Sequence, residues 1–420
     1  MTEPATEAAS TRPLTPLLEP RDGVPEPVRT PGELAAAVAA LASGDGPVAV
    51  DAERASGYRY GQRAYLVQLR RAGTGSVLVD PVPLGDLAAL GTAIATAEWV
   101  LHAASQDLPC LAEVGLRPTR LFDTELAGRL LGHQRVGLGA MVEHYLGLSL
   151  EKGHSAADWS TRPLPRAWLA YAALDVEVLI ELRDRLEADL AAAGKLEWAR
   201  EEFAAIVAAP LPAPRSEPWR RTSGIHRVRG PRQLATVRAL WESRDALARE
   251  RDLAPGRVLP DIAIVTAALA EPRTQAALAA VPGFGGRQHR FLRRWYDAIL
   301  AARELRDGEL PPTSIATDAP PPPNRWADRD PDAAARLTAA RAALTALAAE
   351  HVLPVENLLV PDLVRRLAWE PPADSSPAGV AAALAAAGAR RWQIALTAGP
   401  LSEALHAQPA TAGRPAGTGS

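Results

Sequence analysis

Asp51-Ala52-Glu53 closes the run PVAVDAE (47–53), and in a strand this spacing puts both carboxylates on one face, because alternate residues project the same way. Two hard oxygen donors so placed suit a divalent cation. The same D-x-E spacing recurs at Asp123-Glu125, Asp175-Glu177 and Asp307-Glu309, so position has to discriminate among the four. Only Asp51 and Glu53 end an apolar strand fit for the centre of a sheet, where two acids lose solvation unless a cation compensates. A strand-end turn is the bland alternative. Asp175 falls in the helical stripe Trp168, Ala172, Leu179, Leu182 and Leu186, with Tyr171 four residues earlier on the same face. Of six tyrosines, Tyr171 alone has an aspartate at i+4. A Tyr-Asp pair satisfying itself in the core competes with a ligand role. Asp107 lies in HAASQDLPCLAEV, where Ser105 looks like a helix N-cap and an acid in the first turn suits the helix dipole. Asp123 reads as an N-cap, and His102, alone at a strand end, as a substrate or hydrogen-bonding contact and not a metal ligand.

Acids of this number with a tyrosine suit phosphodiester hydrolysis by two divalent cations, Mg²⁺ or Mn²⁺, held about 4 Å apart by a bridging carboxylate. One cation activates the attacking water and the other stabilises the leaving oxygen. Tyr171, neutral at pH 7, would orient that water.

The elements that must position these groups are legible from periodicity. Thr30-Pro31-Gly32-Glu33 is a capping box with proline at the first helical position, opening a helix through Leu41. PVAVDAE (47–53), AYLVQLRR (64–71) and SVLVDP (76–81) read as an antiparallel meander, and EWVLHAA (98–104) as a fourth strand reached by a helical crossover onto a mixed sheet. From Asp123 to about Gly194 the pattern is helical, ending in one long amphipathic run from Arg166.

The chain has 420 residues, 47% hydrophobic and 23% charged, enough for two to four domains. A net charge of -3 excludes strongly basic classes and requires any nucleic acid to be held by local patches. The single cysteine, Cys110, excludes a disulfide framework or a Cys-rich zinc site and fits a reducing, cytoplasmic setting. Neither a signal peptide nor a membrane-spanning stretch is expected. Residues 1–27 and 407–420 read as disordered tails, 28–208 as an α/β domain, and 215–308 and 325–406 as two all-α domains separated by the Pro-rich linker 311–324. APLPAPRSEP (209–218) is a second Pro-rich linker. The helical blocks repeat at a spacing near 100 residues: Ala246-Leu247, Glu250, Leu253 and Leu259 align with Ala346-Leu347, Glu350, Leu353 and Leu359. VPGFGG (281–286) lacks the Lys-Ser/Thr of a phosphate-binding loop and reads as an interhelical turn.

Asp51/Glu53, Asp107 and Tyr171-x-x-x-Asp175, in that order, resemble the three motifs of the DEDDy 3′–5′ exonucleases. YLVQL (65–69), LHAASQDL (101–108), FDTELAGRLLG (122–132) and LEKGHSAADWSTRPLPRAWLAYAALDVEVL (150–179) are similar to the ribonuclease D family pattern. WRRTSGIHRVRGPRQLATVRALWESRDALARERDLAPGRVLPD (219–261) resembles the start of a helicase-and-RNase-D C-terminal (HRDC) domain, and the third block a more divergent second copy. The resemblance implies an RNase H-like exonuclease domain with a mixed five- or six-stranded sheet, followed by two HRDC domains. It also implies that Asp51 bridges two metals, that Glu53 and Asp175 hold the nucleophile-side metal, that Asp107 serves the other, and that Tyr171 positions water. Departures are the tail before Thr30, Gln106 where the family more often has an acid, and the absence of Phe and Tyr from the last block.

The implied activity is 3′ trimming of structured RNA, tRNA precursors above all, with release of 5′-mononucleotides and no obligate protein partner. Residues 211–310 carry 18 arginines against 11 acids, so the middle block is the basic part of an acidic chain and suits phosphate contact. Trp219, Arg220 and Arg221 open a segment fit for a backbone-tracking groove. Lys152, one of only two lysines, sits in the loop before Asp158-Trp159 and could reach a phosphate. Two other readings are a DNA exonuclease using the same five residues, and an RNA-binding or helicase adaptor in which the helical blocks dominate.

Overall fold

The computed structural model describes residues 13–407 except 152, 155, 212, 214 and 315–317, and describes 287 and 288 by backbone alone. Strand β1 (Thr15–Leu17) precedes helix α1 (Pro31–Ser43), which opens on the expected capping box: the Thr30 hydroxyl accepts from Glu33 N, and the Glu33 carboxylate accepts from Thr30 N at 2.9 Å. Strands β2 (Asp45–Arg54), β3 (Ala64–Ala72) and β4 (Gly75–Val79) form the meander, followed by short helices α2 (Pro81–Leu84) and α3 (Ala88–Ala93). Strand β5 (Glu98–Leu101) then pairs parallel to β2, and a strand that periodicity does not reveal, β6 (Arg120–Asp123), pairs parallel to β5 beyond helix α4 (Leu108–Glu113). The sheet therefore has five strands in the order β4-β3-β2-β5-β6, with β2 at its centre. A four-residue strand carries too few alternations to be read by itself.

Helices α5 (Thr124–Leu130) and α6 (Leu138–Leu146) are followed by β7 (Leu148–Leu150), α7 (Arg166–Glu177), α8 (Leu179–Ala192) and α9 (Leu196–Ala208). Two expectations are corrected here. The stretch from Asp123 is interrupted by β7 and the non-helical residues 156–165, and the run from Arg166 breaks at Val178, between α7 and α8. The second correction concerns the N-terminus. Of the residues expected to be disordered, those from 13 onward are pinned: β1 pairs parallel with β7, Arg21 N donates to the Glu177 carboxylate, Asp22 meets Arg70 at 2.8 Å, and Val28 N donates to Leu78 O. Composition does not register main-chain pairing to a distant strand. Residues 1–12 and 408–420 lie outside the described residues.

The second block comprises α10 (Pro231–Glu250), α11 (Pro255–Val258), α12 (Asp261–Ala270), α13 (Gln275–Ala279) and α14 (Leu292–Glu304) around Trp219, Phe284 and Trp295. After α15 (Trp326–Arg329), the third block repeats this order in α16 (Pro331–Glu350), α17 (Val355–Leu358), α18 (Pro361–Trp369), α19 (Pro377–Ala386) and α20 (Arg391–Leu405). The first helix of each block is 20 residues long, and each is followed by a four-residue helix, as the repeat of about 100 residues requires. Among the described residues, no helix is long and apolar enough to cross a membrane.

Both helical blocks pack on the first domain, by different chemistry. The middle block docks on the β2–β3 loop through polar contacts: Tyr60 Oη donates to Asp245 at 3.0 Å, Ala254 N donates to Tyr58 O, and Arg257 donates to Gly57 O while its guanidinium lies over the Tyr58 ring. The third block shares a continuous apolar core with the first domain, and Trp198 stacks on Trp392 with centroids 4.8 Å apart. At that junction the buried Lys195 ammonium donates to the carbonyls of Leu130 and His351, each at 2.6 Å, and of Val352 at 3.1 Å. Removing it leaves three carbonyls short of a donor, so Lys195→Met is expected to cost about 2 kcal/mol or more. Chemical unfolding of the full chain measures this, and an unchanged midpoint would deny Lys195 any clamping role.

Candidate active site

The acids converge because β2 is central and its C-terminal end opens under α7. In α7, Leu169, Ala172, Ala173 and Val176 are buried against the sheet, and Tyr171 and Asp175 stay partly accessible at its edge. Oxygen atoms of Asp51, Glu53 and Asp175 lie within 4.8 Å of one another. Asp107, Tyr171 and His102 line the same cleft, of about 500 Å³. Asp107 stands apart from the three-carboxylate group: its Oδ1 is 3.3 Å from Arg54 Nη2. It occupies the N-cap position of α4 without a capping hydrogen bond, and Ser105, the expected cap, lies inside a short 3₁₀ turn instead.

The other D-x-E pairs separate cleanly. Asp123 caps α5 as expected, accepting from Glu125 N and Leu126 N, and also from Ala103 N and Ala104 N. Glu177 binds the N-terminal segment, while Asp307 and Glu309 pair with Arg232 and Arg306. Only Asp51-Glu53 brings both its acids into the cleft.

Burial, first, and mutual repulsion, second, hold the acids far from their ordinary behaviour. Glu53 is pushed up to about 10 by desolvation and then by Asp51, Asp175 and Asp107, and Asp107 to about 8 by desolvation and then Asp51. Asp175 is raised by desolvation and then by Asp51, and Asp51 by desolvation, against the Ala52 amide and Arg54, which pull it down. The Tyr171 phenol is also raised, by burial and by the acids, and shares a hydrogen bond with Asp175, so it remains protonated at neutral pH. A partner is missing elsewhere too: Gln68, the cross-strand neighbour of Asp51, is fully buried with neither polar atom of its carboxamide bonded. Antiparallel partners share a face, so clustered carboxylates and an orphaned amide lie together. That donor set fits hard divalent cations. Gln68 escaped sequence reasoning because a single glutamine in an apolar strand carries no spacing signal.

The wall around Tyr171 is built by His154 and residues 156–165. Its anchor is Arg162, which forks onto the buried Asp80 at 2.7 and 2.8 Å and reaches Tyr65 O and Trp159 O. Trp159 is thereby sunk into the core, Nε1 donating to His154 O at 3.2 Å, and the His154 ring meets Tyr171 edge-on at 5.7 Å. His154 and Trp159 are residues that the spacing argument did not single out. Lys152 lies outside the described residues.

The expected substrate contacts change character. His102 lines the cleft, but its Nδ1 is 2.9 Å from Thr124 Oγ1 and it forms a second bond to the Val136 backbone. Burial lowers the imidazole to about 4, so the ring is neutral at pH 7. Its hydrogen-bonding edges are thus engaged within the protein. Arg220 is turned inward, ion-paired with Glu217 at 2.8 Å and stacked over Trp219 at 4.2 Å. Arg221, Arg227 and Arg229 of the same segment are exposed. None of these arginines lines the cleft of the acids.

A mixed sheet with carboxylates at the end of its central strand, opposite a Tyr-x-x-x-Asp helix and followed by helical modules, defines a 3′–5′ exonuclease of the RNase H-like class. The 3′–5′ exonuclease family pattern matches residues 25–191, the HRDC domain pattern residues 233–301, and the 3′ to 5′ exonuclease C-terminal domain pattern residues 319–405. Ribonuclease D of Acidiphilium cryptum is 34% identical over 323 residues, covering 73% of this chain and 80% of that protein. Ribonuclease D of Gluconacetobacter diazotrophicus is 31% identical, covering 78% and 82%. Among solved structures, a protein from Bifidobacterium adolescentis superposes with a TM-score of 0.86 at 40% identity, covering 93% of this chain and 99% of that one. Escherichia coli RNase D does so with 0.65 at 26% identity, covering 82% and 89%. The chain belongs to the ribonuclease D family and is a 3′–5′ exoribonuclease.

A carboxyl whose pKa is raised by folding binds its proton more tightly in the folded chain, so the stability it contributes is present at low pH and lost as pH climbs from the ordinary carboxylate range towards 8 and 10. In EDTA the melting temperature is therefore expected to fall between pH 6 and pH 9, and the rise produced by Mn²⁺ to be larger at pH 9. Thermal melts at both pH values check this; an equal Mn²⁺ effect at the two would contradict it.

Proposed function

We propose that the chain trims the 3′ ends of structured RNA in the cytoplasm, tRNA precursors included, releasing 5′-mononucleotides with the help of two divalent cations, Mg²⁺ or Mn²⁺. The observation that carries this reading is the three-carboxylate group within 4.8 Å, with Asp107 on the same cleft. The structural relative from E. coli is described as an exoribonuclease involved in structured RNA processing, which supports the substrate class. Asp51, Glu53 and Asp175 would hold one cation, and Asp51 with Asp107 the other. Such ions, when bound, acidify water and neutralise charge building on the phosphoryl oxygens.

The chain's own residues do the rest. Tyr171 keeps its proton and, tethered to Asp175, presents a hydroxyl that orients the attacking water. His154, Trp159 and Trp168 restrict the Tyr171 ring and exclude bulk water behind it. Neutral His102 fixes the far wall without adding positive charge. Exposed Arg221, Arg227 and Arg229 supply phosphate contacts away from the cleft, which favours grip on the backbone without base readout.

The decisive experiment follows 3′ shortening of a hairpin RNA with a single-stranded tail, beside matched DNA, in Mg²⁺, Mn²⁺ or EDTA. Asp51→Ala is expected to abolish shortening with RNA binding retained, and Tyr171→Phe to lower kcat by about a hundredfold. Undiminished cleavage by Asp51→Ala would overturn the site. Faster shortening of the DNA would overturn the substrate class.

A further inference from the structure

One charge in the cleft is unused by the chemistry above. Arg54 follows directly on Glu53, and its side chain, 28% exposed, turns back across the cleft. Nη1 donates to Gln106 O at 3.0 Å while Nη2 faces Asp107 Oδ1 at 3.3 Å. With His102 neutral, Arg54 is the only cationic side chain among the described residues that line the cleft. Its charge is felt beyond Asp107, since it opposes the upward shifts of Asp51 and Glu53 as well.

This contact accounts for an asymmetry between the acids. Three carboxylates lie close enough to share one ion, whereas Asp107 is drawn to a fixed guanidinium. A guanidinium and a divalent cation are alternative counter-charges for one carboxylate, and each repels the other at short range, so occupancy by one weakens the other. The guanidinium is tied to a main-chain carbonyl as well, which sets its position in the absence of any ion.

We propose that Arg54 is a built-in counter-ion that competes with a divalent cation for Asp107. The cleft then loads in order: first at Asp51, Glu53 and Asp175, and second at Asp107, where Arg54 must be displaced. Once displaced, the guanidinium is left at the cleft margin, where it meets the incoming phosphate. The inference rests on the two-cation reading above and adds to it an order and a named competitor.

The test titrates the full-length chain with Mn²⁺ by calorimetry, in wild type, Arg54→Met and Arg54→Lys, beside thermal melts in EDTA. Wild type is expected to show a tight step and a weaker one. In Arg54→Met the weaker step tightens by about tenfold or more, the scale on which supporting residues alter metal affinity, while the tight step changes little. In EDTA the same variant melts below wild type, because the buried acids have lost their counter-charge, and saturating Mn²⁺ removes the difference. Arg54→Lys falls between the two. Identical isotherms for wild type and Arg54→Met, or a weakened second step, overturn the role of Arg54 alone. Absence of Mn²⁺ uptake by wild type overturns the two-cation reading together with it.

Discussion

Four carboxylates crowd the end of one central strand, and the rest of the structure answers to their repulsion. Desolvation raises Asp51, Glu53, Asp107 and Asp175 together, and repulsion by neighbouring acids adds to it at Glu53, Asp107 and Asp175, which is unfavourable unless positive charge is brought to them. The fold tolerates this because the surrounding core is large: β2 is flanked on both sides by strands, and α7 is wedged over its end by four buried apolar residues. Stability gained elsewhere holds the acids where a cation and a phosphate can meet.

Precision at the site comes from outside the acids. Arg162 and Asp80 lock the loop that buries Trp159, and Trp159 with His154 confines Tyr171. The same region is tied to the middle block, because Arg59 donates to Ser160 Oγ at 2.7 Å while its neighbours Tyr58 and Tyr60 carry the contacts to that block. One loop, directly after the strand that carries Asp51 and Glu53, thus meets both the wall of the cleft and the HRDC domain. Its contacts are polar and partly exposed, whereas the third block is joined through a shared apolar core and the Lys195 clamp. The two helical copies are therefore fastened in unlike ways despite their common helix order.

Much of the positive charge is committed internally. Arg220 stacks on Trp219, Arg232 reaches the carbonyls of Arg303 and Leu305, and Arg244 is buried against Asp261. The excess of arginine in the middle block is thus only partly available to a polyanion, and Arg221, Arg227 and Arg229 are the members of its first segment left exposed. Counting charges along a chain cannot separate these classes, since an inward arginine and an outward one have the same letter.

What depends on local spacing is legible in the residues alone: the capping box at Thr30, the strand alternation that puts Asp51 and Glu53 on one face, the i+4 relation of Tyr171 and Asp175, and the repeat of the helical blocks. Each is a short-range relation fixed by backbone geometry. Long-range contacts decided which acids meet, that β6 completes the sheet, that residues 13–28 are held by pairing of Thr15–Leu17 to β7 and of Val28 to β4, and that Asp107 faces Arg54. The fold also tied His102 to Thr124 and Val136, and Arg220 to Glu217, within the protein. Those outcomes join residues far apart in the chain, where burial and long-range pairing choose the partner and no local pattern can announce it.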